Sequence, residues 1–63
     1  MKVLFKTPRQ REISESIDPG MIEAWLTHEA DIWEIYFLCK KRTEADWKFS
    51  EFADVFLLIA EHY

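Results

Sequence analysis

The residues with the clearest chemical potential stand at positions 28–32, where the sequence reads His-Glu-Ala-Asp-Ile. They open like the zinc-protease pattern, in which two histidines one helical turn apart bind the metal and the glutamate is the general base. The second histidine of that pattern would stand at position 32, where this chain has Ile32. We therefore expect His28 to make a surface hydrogen bond rather than to bind a metal.

The chain's single cysteine, Cys39, has no neighbours that would make it a nucleophile. Lys40 and Lys41 could lower the pKa of its thiol, but no base and no oxyanion-binding group accompany them. The single glycine, Gly20, excludes a glycine-rich phosphate loop. We predict a protein that is not an enzyme and binds no cofactor or metal, with Cys39 as a buried thiol.

Length and cysteine content predict one small domain with a marginal core. The chain has 63 residues, a size at which folding buries only about 60% of the unfolded surface. Small domains usually compensate with disulfides, a metal or self-association. A lone cysteine rules out a disulfide within the chain and suits a reducing compartment. Self-association, or binding to a larger protein, is the remaining way to bury more surface.

Charge is distributed unevenly along the sequence. Residues 1–11 hold four cations and no acid, whereas the rest holds all twelve acids against four cations. Such an acidic body repels phosphates, so nucleic acid is an unlikely partner. No N-terminal apolar stretch is long enough for a signal peptide, and the longest apolar run, 55–60, is too short to span a bilayer. We expect a cytoplasmic protein with no membrane segment.

Two long helices follow an N-terminal arm in the predicted fold, which is all-α. No glycine or proline occurs after Gly20, and nine of the ten aromatic residues lie there. Asp18 and Pro19 have the residue types of a helix start, and Thr43 those of a second start, with Ser50 as the alternative cap. We predict an αα-hairpin of helix one (18–42) and helix two (43–63), after a basic extended arm (1–17) with a weak strand pattern.

Helix one carries more apolar surface than its partner helix can cover. One seam contains Ile22, Trp25, Glu29, Ile32, Tyr36 and Cys39, and a second contains Leu26, Ala30, Trp33 and Phe37. Together they span roughly 220° of the helix, whereas a surface helix needs a stripe of a little over 100°. The second seam can be covered by another copy, in a dimer that forms a four-helix bundle. It can also be covered by a different protein or by the N-terminal arm.

Five residues are the candidate protein interface. Leu26, Trp33 and Phe37 belong to the second seam. Glu29 lies between the seams, where it either reaches water or a basic side chain, or pairs with a cation across an interface. Trp47 either folds into the turn or is an exposed contact residue, since tryptophan is enriched in binding hot spots.

These features favour a small interaction module, an adaptor or inhibitor of a larger intracellular protein, of the kind that phages and mobile elements encode. The alternative is a DNA-binding regulator. A strand at 11–17 followed by two helices is distantly similar to the ribbon-helix-helix family. In that topology the outward strand residues would include Glu12 and Ser14, which cannot read guanine as arginine does. Contacts to DNA would be left to the arm, with Lys2, Lys6, Arg9 and Arg11.

Overall fold

The computed structural model describes residues 7–63, and this part of the chain forms four short helices. They are α1 (Pro8–Ser16), α2 (Pro19–Leu26), α3 (Ile32–Thr43) and α4 (Phe49–Glu61). No strand occurs within residues 7–63, so the all-helical prediction is confirmed for this part of the chain. The arm residues before Thr7, and any cover they give to the helices, lie outside the described residues.

The predicted extended arm is wrong for residues 8–16, which form α1. Thr7 begins this helix through a capping box: its hydroxyl accepts from the Gln10 N–H at 3.2 Å, and the Gln10 side chain accepts from the Thr7 N–H at 3.4 Å. Pro8 occupies the first helical position, where its missing N–H has no cost. Ile13 and Ile17 are one helical turn apart, and both contribute to the core.

Ion pairs attach α1 to the other end of the chain. The Arg9 guanidinium donates to Glu51 of α4 at 2.8 Å and lies 3.7 Å from Asp46. The hydrogen bond from Arg9 lowers the pKa of the Glu51 carboxyl. Because folding lowers this pKa, the ion pair stabilises the fold at pH values above the ordinary pKa of a glutamate. This contribution is lost as the pH falls through the lower pKa that Glu51 has in the folded chain.

Helix one, predicted as continuous from 18 to 42, ends at Leu26. His28 takes a left-handed conformation with φ 64°, and histidine is among the residues that tolerate this region. Its N–H donates to the Trp25 carbonyl at 3.2 Å, and the Glu29 N–H donates to the Ala24 carbonyl at 2.8 Å. These two bonds are those of the Schellman motif, which ends helices.

Asp31 starts the helix again as the N-cap of α3. Its carboxylate accepts from the Glu34 N–H at 3.0 Å. An aspartate followed three residues later by a glutamate is a sequence pattern typical of a helix start. The continuous-helix prediction is wrong here because it followed the apolar periodicity and gave this cap no weight.

The first predicted helix start, at Asp18 and Pro19, is confirmed. Asp18 is the N-cap of α2 and Pro19 its first residue. The Asp18 carboxylate makes no capping bond and instead accepts from the Arg42 guanidinium at 3.1 Å. This ion pair joins the start of α2 to the end of α3.

Helix two begins later than predicted. Thr43 is the last residue of α3, and its hydroxyl donates to the Cys39 carbonyl at 2.8 Å. Glu44 then adopts a left-handed conformation that ends the helix. The α4 helix starts at Phe49, where the Glu51 side chain accepts from the Lys48 N–H at 3.2 Å. The alternative cap, Ser50, is therefore closer to the observed start of this helix than Thr43 is.

The core draws on all four helices and on the segment between α3 and α4. Part of the first predicted seam, Ile22, Tyr36 and Cys39, is buried as expected. Within residues 7–63, the buried apolar residues are Ile13, Ile22, Ile35, Tyr36, Cys39, Trp47, Phe52, Val55 and Phe56.

If α1 is part of the core, replacing Ile13 with alanine destabilises the whole domain. Ile13 is fully buried, and truncation at such a site costs about 2–5 kcal/mol. Urea unfolding followed by tryptophan fluorescence measures the loss. The control is Glu15→Ala on the exposed side of α1, expected within about 0.5 kcal/mol of the parent chain. Equal effects of the two substitutions would contradict the placement of α1.

Candidate interaction surface

Large apolar side chains remain exposed on the outer side of α2 and α3. Leu26, Trp33 and Phe37, the predicted interface residues of the second seam, are each at least half exposed, and Phe37 reaches 59%. Leu38, which sequence reasoning did not select, is 49% exposed. Exposed apolar side chains that lie beside one another are typical of sites that bind other proteins, and these residues are divided between the surfaces described next.

The direction of α3 explains why these side chains are exposed. Ile35, Tyr36 and Cys39 of this helix point into the core. At 3.6 residues per turn, Phe37 lies about 160° around the helix from Cys39. The same rotation that buries the first seam therefore turns Phe37 away from the core.

Trp33 and Phe37 form an aromatic face, with Phe49 of α4 beneath it. The Trp33 ring stacks on Phe49 with centroids 3.6 Å apart and an interplanar angle of 6°. Phe37 lies 6.2 Å from Trp33 by centroid distance. Trp33 is thus supported on one side by a fixed ring while half of its surface faces solvent. Such a held aromatic side chain loses little conformational entropy on binding.

A second apolar surface, the α2–α3 groove, lies on another side of α3. Leu38 and Ile35 of α3 line it together with Met21, Ala24 and Ala30. The groove encloses about 480 Å³, and Asp18 and Glu34 lie at its edges. Leu38 is about 140° around the helix from Trp33 and about 100° from Phe37, so the groove and the aromatic face lie on different sides of α3, with Glu34 between them.

Glu29 lies in the turn between α2 and α3 rather than on a helix seam. Its side chain is exposed, and it borders a surface depression with Leu26 and His28. This position agrees with the alternative in which Glu29 reaches water. The helix break removes the seam position that would have made its burial costly.

Trp47 is buried, so it is not a surface contact in this fold. It is 2% exposed and lies 6.3 Å from Phe52 by ring centroids. The Tyr36 hydroxyl donates a hydrogen bond to its carbonyl. Of the two alternatives for Trp47, the one that folds it into the turn agrees with the structure. No pattern in the sequence distinguished them, because Trp47 was predicted within helix two (43–63), whereas it lies in the segment between α3 and α4.

Cys39 is buried, as predicted. Burial raises the pKa of its thiol, and the sulfur lies 3.5 Å from the Ser16 carbonyl, which accepts from it. A raised pKa keeps the thiol protonated and therefore poorly nucleophilic.

No group of three or more His, Cys, Asp or Glu side chains within residues 7–63 is placed to hold a metal ion. None of the helices there combines the length and apolar character that crossing a bilayer requires.

Comparisons with protein-family models, curated proteins and solved structures find no match to this chain. Its function is accordingly inferred from the two exposed surfaces and from the side chains around them.

Protection of Cys39 predicts slow alkylation of the folded protein. We expect iodoacetamide at mildly alkaline pH to react about a hundredfold more slowly with the native chain than with the urea-unfolded chain, since reaction requires opening of the core. Folding raises the pKa of this thiol, so burial of the protonated thiol contributes fully to stability at pH values below the ordinary pKa of cysteine. That contribution declines as the pH rises from there through the raised pKa of the folded state. Similar native and unfolded rates, measured by mass spectrometry, would show that Cys39 is accessible.

Proposed function

We propose that the protein is a small non-enzymatic interaction module that acts as an adaptor or inhibitor of a larger protein. The observation that carries the proposal is the α2–α3 groove, whose apolar lining stays open beside the half-exposed Leu38. A domain this small has little apolar surface to spare, so leaving such a groove open favours a binding role.

The shape and charge of the groove favour one kind of target. A groove between two helices accommodates the apolar side of a helix or a short extended segment. Glu34 borders it, as does Asp18, whose carboxylate is paired with Arg42. The residues after position 11 hold twelve acids against four cations. We therefore infer a target segment whose apolar side chains are flanked by lysine or arginine. Complementary charge of this kind mainly raises the association rate and the specificity.

Catalysis and DNA binding have less support. Cys39 is buried with a raised pKa, and His28 lies on the turn that ends α2. The ribbon-helix-helix alternative requires a strand at 11–17, and most of that segment belongs to α1. Arg9, one of its expected DNA contacts, is paired with Glu51.

Replacing Leu38 with lysine tests the groove. The tagged full chain is used to capture proteins from a lysate of the source organism, and bound proteins are quantified by mass spectrometry. We expect Leu38→Lys to reduce capture of the target about thirtyfold, the effect of losing a hot-spot residue. Leu38 is exposed, so the fold should persist, which circular dichroism checks.

Leu57→Lys is the matched control. Leu57 is the same residue type with similar exposure, 46% against 49% for Leu38, but it lies on α4. It should capture the same target as the parent chain. Equal capture by the Leu38 and Leu57 variants, or no protein retained above an unrelated tagged domain, would count against the proposed function.

A further inference from the structure

We propose that the aromatic face pairs two copies of this chain, with their α3 helices antiparallel about a twofold axis at Phe37. This inference rests on the proposed interaction role and assigns a second copy as the occupant of the aromatic face. It is carried by the apolar centre of the face and by the order of charges along α3.

The centre of the face suits a self-complementary contact. In a twofold dimer the same patch of each copy meets itself, so the residue on the axis contacts its own equivalent. Phe37 is the most exposed of the large apolar side chains described, and Trp33 beside it is fixed by its stacking on Phe49. Pairing two such faces buries four aromatic side chains, two from each copy.

Charges along α3 favour the antiparallel orientation. Asp31 and Glu34 lie at its start, whereas Lys40, Lys41 and Arg42 lie in its last turn. A parallel pair would place like charges together. An antiparallel pair places the acidic end of each helix beside the basic end of the other, which favours association.

The register about Phe37 matches Glu34 with Lys41 of the second copy. Glu34 precedes Phe37 by three residues and Lys41 follows it by four, about 4.5 and 6 Å along the helix axis. At about 100° per residue, the two lie on the same side of Phe37 and only about 20° apart. A twofold axis perpendicular to the two helices keeps that side and reverses the axial direction. Each Glu34 therefore meets a Lys41, and the dimer contains this ion pair twice.

The other side of Phe37 matches Trp33 with Lys40 of the second copy. Trp33 precedes Phe37 by four residues and Lys40 follows it by three, and they too lie about 20° apart around the helix. A lysine ammonium above an indole ring is a favourable cation–π contact. Lys40 already lies near this face, since its ammonium is 5.1 Å from the centroid of the Tyr36 ring, which neighbours Trp33 and Phe37.

Mixing two charge-reversed variants tests both the partner and the register. Glu34→Lys alone gives lysine at both matched positions, and Lys41→Glu alone gives glutamate at both. Each variant should therefore dimerise about ten- to thirtyfold more weakly than the parent chain, because two attractive pairs become repulsive. An equimolar mixture restores both opposite-charge pairs. We expect it to form a heterodimer close to the parent affinity.

Analytical ultracentrifugation from about 1 μM to about 1 mM measures these affinities. Glu15→Lys, an exposed acid on α1, is the matched control and should dimerise like the parent chain. Phe37→Asp, at the axis, should remain monomeric, and circular dichroism checks that each variant is folded.

Three results would overturn this inference. They are a folded parent chain that stays monomeric throughout, a dimer that neither charge reversal weakens, and a mixture no tighter than either variant alone. A monomeric parent chain that still captures its target through Leu38 would leave the proposed function standing and would assign the aromatic face to a different protein. A chain that dimerises as expected but whose capture of proteins does not depend on Leu38 would leave this inference standing and would count against the proposed function.

Discussion

The fold depends on the burial of Trp47 between the two longest helices. Its indole lies beside Phe52 of α4, and its carbonyl accepts the hydroxyl hydrogen of Tyr36 in α3. The segment between these helices is thereby fixed to both of them. Arg9 extends the same connection to α1, because it lies against Asp46 and Glu51 on either side of Trp47.

Filling the core from this segment leaves the outer side of α3 without a covering element in the described chain. Trp47, Phe52 and Phe56 occupy the interior, and Ile13 completes it from α1. Protein interiors are close-packed, and Trp33 and Phe37 lie outside this one, each at least half exposed. Trp33 and Phe37 are therefore exposed as a consequence of the same packing that holds the domain together.

The parts of the fold predicted from sequence were those set by apolar periodicity and by proline. The helical class, the helix start at Pro19 and the burial of Cys39 follow from such patterns. So does the apolar surface at Leu26, Trp33 and Phe37 that the neighbouring helix leaves uncovered. The errors lie where a few backbone hydrogen bonds outweigh periodicity. At residues 27–31 the left-handed His28 and the Asp31 cap divide one expected helix into two. The capping box at Thr7 turns an expected arm into α1.

The candidate site was predictable in part for the same physical reasons. A helical pattern shows which residues share a side, so it identified Trp33 and Phe37. It could not show that Trp47 folds inward, because that depends on a hydrogen bond from Tyr36, eleven residues earlier. Leu38 was missed because the α2–α3 groove exists only once the helix breaks at Leu26.

The two proposed surfaces are compatible within one assembly. Pairing through the aromatic face leaves Leu38 outside the contact, since Leu38 lies about 100° around α3 from Phe37 at the axis. Glu34 lies between them and borders both surfaces. A dimer would then present two grooves. A target with two binding segments, or two linked targets, would be held more tightly by such a dimer than by a single copy.

The central claim is that Trp47 is interior whereas Trp33 is at a surface that a second copy covers. Fluorine NMR of the fluorotryptophan-labelled chain tests it most directly, through the shift of each resonance between H₂O and D₂O. Substitution of each tryptophan by phenylalanine assigns the signals. Between about 10 μM and about 1 mM, the account predicts no solvent shift for Trp47 and a Trp33 shift that shrinks as concentration rises. A solvent-sensitive Trp47, or a Trp33 signal independent of concentration, would contradict it.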